Sequence, residues 1–344
     1  MTSSLRLAGL LALGILIAPP HGFGQADQMS QMNQTTEADP ISHPPGNYTV
    51  VNGHRIWYES EGQGQGQGQG EPLLLIPGGP GGRHNYFHPY FSALSSHYRV
   101  IYYDPFGTGK SDRAKNLNEY SLAQEVEDIE VLRKNLNLGK INLLGHSWGG
   151  NVAEAYTLEY PNSVARLIIS NSGASGQAIQ ASNDHANQET REIFPESWSK
   201  LEELRKQRAK PDSPEIMAAQ PDGAKVFALF YFYNRDNAKK VVDTDVSMDV
   251  AMAIMGPEMD TKIADELARL DFRGKLKSLT IPILILAGRG DGVVTPRIAT
   301  ELAHALPQAK FVIFENSGHF AFLEETDSYM QVLSDFLSSS GTKN

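Results

Sequence analysis

The run Ile141-Asn142-Leu143-Leu144-Gly145-His146-Ser147-Trp148-Gly149-Gly150 decides how the chain is read. Four residues of buried-strand character lead into a Gly-x-Ser-x-Gly turn, and a helical pattern follows from Asn151 to Glu159. A serine placed on so sharp a strand-to-helix turn is a nucleophile elbow. Side chains two positions either side of Ser147 would collide, so Gly145 and Gly149 have to be small. The hydroxyl is left at the carboxyl edge of a sheet, over the N–H groups of a helix start. Such a turn requires neighbouring parallel strands, and the rest of the sequence supplies them.

Short apolar runs without polar alternation recur at Leu73 to Ile76, Val100 to Tyr103, Leu167 to Ile169, Ile283 to Leu286 and Phe311 to Phe314. They read as strands covered on both faces. Helical patterns such as Ser121 to Leu136 separate most of them, which implies an α/β fold with a mostly parallel sheet flanked by helices. The sheet is expected to begin with an antiparallel hairpin, Tyr48 to Val51 and Arg55 to Glu59 about an Asn52-Gly53 turn. The Gly-Gln tract from Gly62 to Gly70 reads as a lengthened surface turn. The core is thus assigned to residues 47–174 and 266–338. Residues 175–265, rich in helix formers and without a comparable strand run, are read as an inserted helical cap. Phe227, Phe230 and Tyr231 fall at helical spacing in it; they either pack the cap on itself or form an apolar ceiling over a substrate.

A serine hydroxyl becomes a nucleophile only when a base takes its proton, and a carboxylate must hold that base in one tautomer. His319 lies just past the last strand run, in Asn316-Ser317-Gly318-His319-Phe320, and Asp291 lies just past another, in Gly288-Arg289-Gly290-Asp291-Gly292. Both loops sit at strand ends that can reach the elbow, so Ser147, Asp291 and His319 form the candidate triad. The oxyanion donors are assigned to the amides of Trp148, next to the nucleophile, and of Gly79, in the loop Gly78-Gly79-Pro80-Gly81-Gly82. Gly109-Lys110-Ser111 resembles the end of a phosphate loop, but Asp104 stands where the first glycine is needed. His84 and His88 have the spacing of two helical ligands; no helix signal accompanies them, so neither metal nor cofactor is expected.

Composition narrows the remaining choices. The 344 residues carry 30 Lys+Arg against 40 Asp+Glu, a formal charge of −10, which disfavours nucleic-acid partners. Zero Cys excludes disulfides, thiolate ligands and cysteine nucleophiles. Residues 1–26 read as a signal peptide: Arg6, an apolar run from Leu7 to Ala18 too short to span a bilayer, Pro19-Pro20, and small residues up to a cleavage point after Ala26. Residues 27–46 form a lead-in with little to bury. A periplasmic or secreted protein without a stable membrane anchor is expected.

Pro77-Gly78-Gly79-Pro80-Gly81, the loop Asp104 to Ser111 and the Gly-His-Ser-Trp-Gly-Gly elbow together resemble the proline iminopeptidases and tricorn-interacting aminopeptidases of the α/β-hydrolase superfamily, over about Asn47 to Leu337. The resemblance implies release of an N-terminal residue, often proline, with a cap glutamate gripping the free amine. Met255-Gly256-Pro257-Glu258 loosely resembles the segment bearing that glutamate, so Glu258 is either an amine anchor or one exposed acid among many. Pro77, Pro105 and Phe106 depart from the family's motifs. Three functions therefore stay open: an aminopeptidase on short peptides, a carboxylesterase or other small-acyl hydrolase, and a binding module without turnover.

Overall fold

A computed structural model describes residues 43–62, 71–210, 213–241, 246–257 and 262–339. The segment expected to be a signal peptide, most of the expected lead-in, all of the Gly-Gln tract but Gly62, and Glu258 lie outside the described residues.

Eight strands form one sheet: β1 (Asn47–Val51), β2 (His54–Glu61), β3 (Pro72–Ile76), β4 (Arg99–Tyr103), β5 (Ile141–His146), β6 (Val164–Ser170), β7 (Ile283–Gly288) and β8 (Lys310–Phe314). Their order across the sheet is β1-β2-β4-β3-β5-β6-β7-β8. β1 and β2 pair antiparallel with Val51 opposite His54, and the turn between them puts Asn52 and Gly53 at φ 48° and 92°, the geometry that Asn-Gly favours. β2 also runs antiparallel to β4. Every other pairing is parallel.

The strand runs lack polar alternation because both faces are covered. Leu74 and Ile76 face a core shared with Ile129 and Leu132 of α1 (Leu122–Asn135) and with Val152 and Tyr156 of α2 (Trp148–Glu159). Leu73 and Leu75, one residue out of step, face a second core with Phe87 and Phe91, and with Tyr329 and Leu333 near the C-terminus. Period-two alternation thus sorts one strand's side chains between two apolar layers.

Between β6 and β7 the chain leaves the sheet through α3 (Gly176–Ile193), α4 (Pro195–Lys206), α5 (Pro214–Ala219), α6 (Gly223–Tyr231), α7 (Met248–Met255) and α8 (Asp265–Ala268). An antiparallel bridge between Ser175 and Asp271 pinches the two ends of this excursion together. The short α9 (Arg273–Leu276) follows, then α10 (Pro296–Ala305), α11 (Ala321–Glu324) and α12 (Thr326–Ser338).

Candidate functional site

The loops leaving β3, β5, β6, β7 and β8 all emerge at the carboxyl edge of the parallel strands, where open α/β sheets gather their chemistry. Ser147 follows the last residue of β5 and has φ 56° and ψ −125°, a conformation L residues seldom adopt. The glycines around it are obligatory. A Cβ on Gly145 would stand 2.0 Å from the carbonyl oxygen of Gly149, and one on Gly149 would stand 2.3 Å from that of Ile76. β3 and α2 therefore clamp the turn from both sides.

His319 Nδ1 donates to Asp291 Oδ2 at 2.9 Å, both residues almost wholly buried. Asp291 has no unused acceptor direction: Oδ1 takes the amides of Val293 and Val294, each at 2.8 Å, and Oδ2 also takes the Asn171 amide at 2.9 Å. Asn171, left by β6 at φ 50°, donates as well to the Gly318 carbonyl and so ties the two loops together. With Asp291 accepting at Nδ1, the neutral His319 ring presents an unprotonated Nε2.

Neighbouring His146 lies with its ring centroid 4.8 Å from that of His319. Its Nε2–H donates to the His319 carbonyl at 2.9 Å, so its Nδ1 accepts from the Tyr86 hydroxyl at 3.0 Å. Burial, then the nearby His319, hold His146 well below the usual histidine range, consistent with a neutral ring in this tautomer. The Tyr86 hydroxyl in turn accepts the Gly78 amide at 2.6 Å. One buried chain of hydrogen bonds thus runs from the glycine loop after β3 to the histidine loop after β8. The sequence reading missed Tyr86, His146 and Asn171 in these roles; the only advance signal was that His146 and Asn171 sit at strand ends.

The helical excursion between β6 and β7 holds the same loops. The carbonyl of Phe230 accepts the Gly292 amide at 2.9 Å, and that of Tyr231 accepts the His319 amide at 2.8 Å. Glu324 accepts the amides of Tyr233, Asn234 and Gly318. Ser247, before α7, donates to the carbonyl of Gly81.

A cleft opens over the elbow. Gly79, Trp148 and Ser147 line it together, with Asn151, Ser182, Ile179, Met255, Val294 and Ile298 forming much of its wall. Phe230 and Tyr231 are not on that wall; they are buried behind the Asp291 and His319 loops, and the Tyr231 ring stands edge-on to His319 at 5.2 Å. None of the described lining residues is acidic. Under the cleft floor the Trp148 indole donates to Glu125, whose carboxyl burial pushes up to about 8.

Two rejected motifs have physical explanations. Asp104 Oδ2 accepts the Lys110 amide and its Oδ1 the His84 ring, so the loop after β4 folds around its own carboxylate rather than a phosphate. His84 and His88 do not sit on one helix face, as a two-ligand helical motif requires: His84 opens a short 3₁₀ turn and His88 follows it. They nevertheless converge with His43 and Glu59, the four donor atoms lying within 4.8 Å of one another, and none of the four lines the cleft.

A sequence profile of the alpha/beta hydrolase fold matches residues 71–326. A proline iminopeptidase of Heyndrickxia coagulans is 30% identical over 272 residues, covering 78% of this chain and 91% of that protein. The crystal structure of VinJ superposes with a TM-score of 0.69 at 22% identity, covering 86% of this chain and 99% of that one. That of a proline iminopeptidase from Mycobacterium smegmatis gives 0.66 at 21%, covering 85% and 97%.

Proposed function

The chain belongs to the α/β-hydrolase fold family, in its proline-iminopeptidase-like branch, and on that premise we propose that it is an exported serine aminopeptidase releasing N-terminal residues from short peptides. Ser147, Asp291 and His319 are its triad. The observation that carries this reading is the Asp291–His319 pair, its carboxylate saturated by four donors and its imidazole held against the residue preceding Ser147.

His319 Nε2 takes the Ser147 proton as Oγ attacks the substrate carbonyl carbon. The negative charge then gathers on the carbonyl oxygen, where the amides of Gly79 and Trp148 stabilise it. Gly78 supports this role indirectly, since Tyr86 holds its amide and fixes the loop that presents Gly79. Collapse of the tetrahedral species breaks the C–N bond while His319 gives its proton to the leaving amine. Water repeats the sequence on the acyl-enzyme, restoring Ser147. Asp291 stays ionised and stabilises the imidazolium in both halves. None of these steps calls for a cofactor.

An exopeptidase also needs a group that fixes the distance from Ser147 to a free ammonium. Glu258, three residues beyond the cleft residue Met255, is assigned that task. The second reading, a small-acyl esterase, is favoured by the absence of an acidic residue among the described cleft lining. Prolyl and alanyl arylamides, their N-acetyl forms and short nitrophenyl esters separate the two. The aminopeptidase reading expects free arylamides to turn over, Glu258→Gln to cost about 1.5–3 kcal/mol on arylamides only, the range of a charged hydrogen bond, and N-acetylation of the substrate to mimic that loss. Equal turnover of blocked and free substrates would assign the protein to the esterases.

A further inference from the structure

Away from the residues that line the cleft, four side chains brought from three places in the chain face one another. Glu59 comes from β2, His43 from the segment before β1, and His84 and His88 from the turn after the glycine loop. Glu59, His84 and His88 are each about 1% exposed, which is uncommon for groups that carry or can carry charge. We propose that they form a site for one first-row transition dication, zinc being the reference ion, with three imidazole nitrogens and one carboxylate oxygen as ligands.

The distances fit. Glu59 Oε2 lies 3.0 Å from His43 Nδ1, 3.2 Å from His84 Nε2 and 3.3 Å from His88 Nε2. Around a tetrahedral ion with bonds of roughly 2.0–2.1 Å, adjacent donor atoms stand about 3.3–3.4 Å apart. A small inward movement of the imidazoles brings the remaining pairs, all within 4.8 Å, onto the same centre.

Hydrogen bonding alone leaves the cluster incomplete. His84 Nε2 and His88 Nε2 approach Glu59 without the alignment of a hydrogen bond, and both are buried atoms without any hydrogen-bond partner. Buried polar atoms are normally satisfied, so two that converge on one point ask for a ligand there. For His84 the outer partner is the kind a metal centre uses. His84 Nδ1 is 2.7 Å from Asp104 Oδ1, which fixes the tautomer that turns an Nε2 lone pair toward Glu59. His88 Nδ1 stands 3.4 Å from Glu61 Oε1, an ion-pair contact without a hydrogen bond, and the Trp57 indole donates to the other oxygen of Glu59 at 3.3 Å. A nitrogen-rich set with one carboxylate suits zinc and its neighbours and not calcium or magnesium, which take oxygen ligands.

The role this assigns to the ion is structural. It would fasten the lead-in at His43 to β2 and to the turn whose Tyr86 holds the Gly78 amide, steadying the wall of the cleft without touching substrate. The site stands apart from the proposed substrate class and is tested without reference to it.

Untagged full-length protein is stripped with a chelator, dialysed and titrated with Zn²⁺ and, separately, Co²⁺. The site predicts one equivalent of each per chain, the visible bands of tetrahedral cobalt, and a zinc-dependent rise in melting temperature. His88→Gln and His43→Ala should weaken binding roughly 100-fold or more, while His304→Ala, on an exposed face of α10, should leave it unchanged. His43→Ala alters a half-buried residue outside the sheet, so it reports even if His88→Gln fails to fold. No uptake of either ion, or uptake undiminished in His43→Ala, would overturn the site and leave the cluster as a network of protons and carboxylates.

Discussion

Asp291→Asn replaces one oxygen by an amide nitrogen, and the surroundings dictate which. Two backbone amides, those of Val293 and Val294, point at Oδ1, so the retained oxygen has to stay there. The new NH₂ then occupies the Oδ2 position, facing the donating amide of Asn171 and Nδ1 of His319. His319 can meet it only by accepting at Nδ1, which moves its own proton to Nε2, the atom that must receive the proton of Ser147. An inverted tautomer of this kind costs on the order of 10⁴ in turnover, or about 5.5 kcal/mol. The collision of NH₂ with the Asn171 amide should add a stability loss of about 1–3 kcal/mol. Adding Asn171→Ala should recover part of that stability and none of the turnover. The assay is kcat on prolyl 4-nitroanilide with urea unfolding of the same samples. A variant within tenfold of wild type would mean that another carboxylate orients the base.

Tyr86→Phe leaves the Gly78 amide and His146 Nδ1 buried without their partner, each at about 1–3 kcal/mol, and urea unfolding within 0.5 kcal/mol or so of wild type would contradict the hydrogen-bond chain. Glu125, raised to about 8 from 4.5 by burial, keeps its proton in the folded protein where the unfolded chain has released it. The native state therefore binds more protons across that window, and stability falls as pH rises through it. Glu125→Gln should flatten this fall between about pH 5 and 8, and melting curves of unchanged slope against pH would show that the group titrates normally. Export predicts a mature N-terminus near Asp27 in protein from a secreting host; mass spectrometry finding Met1 retained would remove that part of the proposal.

The legible parts of the molecule are those whose physics is local. Leu73 to Ile76 and Ile283 to Leu286 are strands covered on both faces, and so they read as unbroken apolar runs. The elbow declared itself because two glycines are forced by contacts within a few residues and with the adjoining strand. Asp291 and His319 could be placed because both follow strand runs, and the structure joins them at 2.9 Å. What could not be read depends on approach across the sequence. His43, Glu59, His84 and His88 meet only because β2 lies at one side of the sheet and the turn after β3 folds back to it. His84 and His88 have the spacing of two helical ligands, and it was the missing helix signal around them that argued against a shared ligand. Phe230 and Tyr231 show the same limit from the other side. Their periodicity marks an apolar helix face, but their backbone carbonyls, invisible to any pattern, are what hold the Gly292 and His319 amides.

If Ser147 is the nucleophile, every turnover depends on its hydroxyl. Wild-type protein and Ser147→Ala should be treated with a fluorophosphonate, digested and read by mass spectrometry, with turnover measured on the same preparations. A single adduct on Ser147 is expected in the wild type and none in the variant, with a loss of turnover on the order of a millionfold. An adduct elsewhere, or a variant that keeps a tenth of the wild-type rate, would contradict that role.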